Sequence, residues 1–110
     1  MSETHEDPYA MANLRPADTG LPMVVWVSER GGARHDVRVK VSRSHGDRAD
    51  WFNTASVAVR PQPHVAAGQL SPADLQVVAE WVRLNEVVIL EYWEGRIFTI
   101  ELLQRLHRLP

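Results

Sequence analysis

Five histidines, His5, His35, His45, His64 and His107, are the side chains of this chain best suited to hold a metal or to move a proton near neutral pH. No two of them stand at the close spacing of a metal-ligand motif, so a shared site would need strands to gather His35, His45 and His64. Scattered surface histidines explain the same residues without a metal. The run Ser44-His45-Gly46-Asp47-Arg48-Ala49-Asp50 holds a histidine and two carboxylates, as an acid–base group would, but Asp, Gly and Ser also gather in turns for backbone reasons. Ser44 lacks the strand-to-helix elbow of a hydrolase nucleophile, and Gly31-Gly32 lacks the further glycine, lysine and hydroxyl of a phosphate cradle. Cysteine is absent, which removes disulfides, thiolate metal sites and thiol nucleophiles. We therefore expect no metal, no cofactor and no catalysis.

Binding chemistry is better supplied. Arg34, Arg38, Lys40, Arg43 and Arg48 concentrate five of the twelve basic side chains in one stretch, where they suit phosphates or an acidic partner. The alternative is a solvated strand face whose charge deters edge pairing. Four tryptophans are many for 110 residues. Trp81 and Trp93 fall on helical faces suited to a core, whereas Trp51-Phe52 lies in a polar loop, where an aromatic pair can anchor a partner protein.

The elements that must position these residues follow from length and pattern. A chain of 110 residues has room for one core, and 45% hydrophobic with 24% charged residues is ordinary for a folded protein. The net charge of −2 is unevenly spread. Residues 1–22 carry Glu3, Glu6, Asp7 and Asp18 against Arg15, while residues 23–70 hold seven basic and four acidic side chains. The sequence pI of 6.2 is far below the value near 9 that marks a dedicated nucleic-acid binder. No apolar run approaches the ~20 residues of a membrane span, and the acidic start is unlike a signal region, so a cytoplasmic protein is expected.

Residues 1–20, with Pro8 and Pro16 and no periodicity, predict a flexible acidic tail ahead of a single domain over 21–110. Met23-Val24-Val25-Trp26-Val27 predicts a central strand, and Gly31-Gly32 a turn. Asp36 to Arg43 alternates valine with polar residues, a second strand with Arg38 and Lys40 on its polar face. Thr54 to Val59 predicts a third, after which Pro61 and Pro63 confine pairing to an edge or end it, leaving Val65–Gly68 as a connection. Ser71-Pro72-Ala73-Asp74 is the start of a helix: a capping hydroxyl, a proline in the first turn and a carboxylate at the positive end. Its polar face resumes at Glu91 and Glu94, which favours one long helix to Gly95 with a bend near Asn85. Thr99 is placed to cap a last short helix. The expected fold is α+β: a small antiparallel sheet of about three strands, then a long helix and a short C-terminal one.

This order of features resembles a family of small bacterial domains of unknown function, over roughly residues 23–95. The matching residues are His35 with Val37-Arg38-Val39, then Leu70-Ser71, Leu75, Val78, Trp81, Asn85, Leu90 and Trp93. The family's Pro-Pro-His-x-His signature is replaced here by Arg34-His35-Asp36-Val37-Arg38. The resemblance implies a bacterial context and a gene paired with a second short gene, in the manner of toxin–antitoxin pairs. Two readings follow. The first is a non-enzymatic interaction or regulatory module, in an antitoxin-like role, that uses the sheet and Trp51-Phe52 against a protein encoded nearby. The second is nucleic-acid binding through Arg34, Arg38, Lys40, Arg43 and Arg48.

Overall fold

In the computed structural model, which describes residues 11–110, five strands form one antiparallel meander in chain order. They are β1 (Met11–Leu14), β2 (Met23–Ser28), β3 (Arg38–His45), β4 (Thr54–Ala58) and β5 (His64–Ala67). The helices among the described residues are α1 (Pro16–Thr19), α2 (Pro72–Leu84), α3 (Glu86–Trp93) and α4 (Thr99–Arg105). The α+β class stands, but the sheet has five strands rather than about three, and the expected arrangement of one long helix before the short C-terminal one is replaced by α2 and α3 ahead of α4.

Both additional strands lie at the sheet edges. In β1, Ala12 and Leu14 pair with Val27 and Val25 and are buried, so two apolar side chains at a spacing of two suffice for an edge strand. Residues 11–20, assigned by sequence to the acidic tail, are thus strand and helix, while the first ten lie outside the described residues. At the other edge, β5 forms directly after Pro63, because a strand with a single neighbour loses little to a preceding proline.

The strand alternation sorts the sheet into two faces. Val25, Val27, Val39, Val41 and Val57 are at most 1% exposed and pack with Val78, Trp81, Val82 and Ile89 of the helices. The other face carries the row Asn13, Trp26, Lys40 and Ser56, set side by side by the strand register.

α2 begins as its sequence dictates: Ser71 Oγ accepts from the Asp74 amide at 3.1 Å, with Pro72 in the first turn. Ser71→Ala leaves that amide unpaired and should cost about 1 kcal/mol in urea unfolding.

The long helix is in fact two. Asn85 leaves helical geometry with φ −116° and ψ 16°, and α3 restarts at Glu86. Its buried side chain donates to the carbonyls of Trp81 and His107, both at 3.0 Å, and accepts from the His107 amide at 2.7 Å. The break is therefore tied to the C-terminal segment. α4 is capped differently from the expectation: the Glu101 carboxylate accepts from the Phe98 amide at 2.9 Å, and Thr99 Oγ1 instead bonds the Tyr92 hydroxyl at 2.8 Å. Its helical residues end at Arg105.

Candidate functional site

The loop over residues 46–53 joins β3 to β4, and its backbone is fixed by local hydrogen bonds. Asp50 Oδ1 accepts from the Phe52 amide and the Asp50 carbonyl accepts from the Asn53 amide, both at 3.0 Å. The Asn53 carbonyl accepts from the Arg43 amide, again at 3.0 Å. This is the geometry of an Asx turn, so Asp50 is occupied by the backbone. Trp51 folds back onto the sheet face that the helices leave uncovered. Its ring meets Trp26 edge-on, with centroids 5.3 Å apart and planes at 89°. The Lys40 ammonium stands 4.9 Å from the Trp51 ring centroid, a cation–π contact that holds the ring from a second side.

Phe52, the next residue, is 94% exposed. Its neighbour is anchored and its own amide is bonded, so the ring is displayed from a fixed backbone. Beside it lies a cleft of about 530 Å³ lined by Ser44, His45, Arg48, Trp51 and Phe52. His45 Nε2 lies 3.0 Å from Asp74 Oδ1, which ties the end of β3 to the first turn of α2.

The five basic residues singled out in the sequence do not share a surface. Arg38 and Lys40 lie on the sheet face opposite the helices. Arg43 lies in the stretch of β3 where the register with β2 is irregular, and its exposed side chain bonds Asn53 Oδ1 at 3.3 Å. Arg48 lines the Phe52 cleft, and Arg34 lies at the opposite end of β3. The histidines are dispersed too: His35 and His45 flank opposite ends of β3, and among the described residues no cluster of His, Asp and Glu could hold a metal ion.

At the far end of the sheet a second cleft, of about 450 Å³, is lined by Arg30, Arg34, His35, Asp36, Arg60, Trp93 and Glu94. The β2–β3 turn, the β4–β5 connection and the end of α3 meet here, joined by the Arg30 amide donating to the Trp93 carbonyl at 2.8 Å. Arg60 grips Asp36 in a two-pronged ion pair, Nε to Oδ2 at 2.8 Å and Nη2 to Oδ1 at 2.9 Å. The His35 ring lies over Trp93 with centroids 5.7 Å apart. The sequence points only to Arg34, as a binding residue, and His35, as a candidate metal ligand, in this cleft; Arg30, Arg60 and Trp93 are far apart in the chain and no motif links them.

The hydrogen bonds from Arg60, with a further one from the Val37 amide, hold the Asp36 carboxyl well below the ordinary value of 3.8, at about 2. A depressed carboxyl contributes stability above its unfolded value, and that contribution is lost as pH falls through about 2. Both partners are substantially exposed, so the effect on folding is small. Carboxyl-carbon NMR should show Asp36 titrating near 2, and Arg60→Gln should return it toward the ordinary range. An unchanged midpoint in that variant would show that Arg60 is not the cause.

No family model, curated protein or solved structure matches this chain.

Proposed function

We propose that this protein is a non-enzymatic interaction module that binds a protein partner through the β3–β4 loop, with Phe52 as the apolar anchor. The observation that carries this reading is the exposure of Phe52, at 94%, on a loop whose backbone is hydrogen-bonded in place. An aromatic ring held ready in this way loses little conformational freedom on binding, and such rings dominate interface energetics. Arg48 and the cleft beside the ring add a polar rim. The nucleic-acid reading has less support, since only Arg38 and Lys40 of its five residues share a face, too few to track a run of phosphates. The antitoxin-like role and the cytoplasmic setting belong to the same proposal, and the protein of a neighbouring short gene is the first partner to test.

The immobilised chain and its Phe52→Glu variant, exposed to lysate of the source cells, separate the outcomes. Wild type should retain one protein in stoichiometric amount and the variant should not. Equal retention by both, or none in any growth state, would overturn the proposal.

A further inference from the structure

The cleft at the opposite end of β3 is independent of the Phe52 loop. Eight strand residues separate them, roughly 25 Å at the rise of an extended chain. Its charges are unequally engaged. Asp36 is held by Arg60, and Glu94 pairs with Arg96 at 3.2 Å, so both carboxylates of the lining already have arginine partners. Arg30 and Arg34, both exposed, make no side-chain hydrogen bond or ion pair among the described residues. Two uncommitted guanidinium groups thus face one cleft, next to a third whose orientation is locked by Asp36. The His35 and Trp93 rings, in contact at a tilt of 30°, line the cleft beside them.

From this arrangement we infer that the cleft is a binding site for a small phosphate monoester, held by Arg30 and Arg34 and walled by His35 on Trp93. A guanidinium offers paired donors that match two oxygens of an oxyanion. A carboxylate has only two oxygens and satisfies one such fork, whereas the three terminal oxygens of a phosphate monoester can accept from two. The volume of about 450 Å³ is in the range of small-molecule sites and exceeds what bare phosphate needs, leaving room for an organic group against the rings. The Asp36–Arg60 pair holds two of the lining side chains to one another, and the 2.8 Å bond from the Arg30 backbone to Trp93 ties the turn that carries Arg30 to the end of α3.

The test is titration of the full chain with phenyl phosphate, inorganic phosphate, benzoate and sodium chloride, followed by amide NMR shifts. Phenyl phosphate should give saturable shifts at residues 30–36, 60 and 93, more tightly than inorganic phosphate, with benzoate weaker still and chloride ineffective. Arg30→Gln combined with Arg34→Gln should weaken phenyl phosphate binding at least about tenfold. Both positions are exposed, so the variant should keep the wild-type amide dispersion. Phe52→Ala should leave the titration unchanged, which keeps this outcome separate from that of partner binding. Absence of saturable shifts, equal binding of benzoate and phenyl phosphate, or unweakened binding in the double variant would each overturn the inference.

Discussion

Trp81→Ala should destabilise the protein by about 4 kcal/mol, read as a loss in urea-unfolding free energy. Trp81 is 0% exposed and is the largest fully buried side chain among the described residues. It sits on α2 within the cluster that joins the helices to the valines of the central strands. Its removal leaves a cavity that the surrounding β-branched side chains are too stiff to refill. Against a total of about 5–15 kcal/mol for a domain of this size, that loss brings the fold close to its limit. Trp81→Phe should cost much less. The indole Nε1 has no hydrogen-bond partner among the described residues, so phenylalanine gives up packing volume but also removes an unpaired buried donor. Equal losses in the two variants would show that ring volume is not what matters at this position.

Gly20→Ala should cost about 3 kcal/mol, more than its surface setting suggests. Gly20 adopts φ +80°, which side chains rarely take, and an added Cβ would lie 2.6 Å from the Leu109 carbonyl oxygen. That contact is with backbone, and the segment is held in place by the Leu109 amide donating to the Thr19 carbonyl at 2.8 Å. The Arg108 guanidinium adds a bond to the Ala17 carbonyl at 3.0 Å. The substitution must therefore lift the C-terminal segment away from α1. Gly95→Ala is the matched comparison: its φ is +75° but nothing among the described residues lies within 4 Å of the added atom. It should lose only the conformational part, about 1 kcal/mol. The difference between the two variants measures the docking of the C-terminus, and a difference near zero would contradict it.

Much of this architecture is written in local patterns, and the parts that are not have a common cause. β2, β3 and β4 show as β-branched or alternating runs because they hold the centre of the sheet, and the start of α2 shows because Ser71, Pro72 and Asp74 act on their own first turn. β1 and β5 are four residues each and take their structure from the register of a neighbour, so Met11–Leu14 and His64–Ala67 carry little signal of their own. Asn85 could be read as a bend, but its role as a buried link depends on His107, 22 residues further on. The two candidate sites divide in the same way. Phe52 is visible as an aromatic residue in a turn-forming stretch, and its exposure follows from that local setting. The arginine cleft is built by strand ends and a helix end that meet only in three dimensions, so nothing in the order of Arg30, Asp36, Arg60 and Trp93 reveals it. The basic stretch illustrates the reverse case: residues close in sequence are spread along β3 and beyond its two ends, so Arg34 and Arg48 line different clefts while Arg38 and Lys40 share a sheet face.

The most direct measurement is calorimetric titration of the partner retained on the immobilised chain into wild type, Phe52→Ala, and Arg30→Gln with Arg34→Gln. If Phe52 is the anchor, its truncation should weaken binding by about 30-fold or more, while the double arginine variant stays within about threefold of wild type. Binding by Phe52→Ala within about threefold of wild type, in a protein whose unfolding is unchanged, would contradict the assignment of the β3–β4 loop as the partner-binding surface.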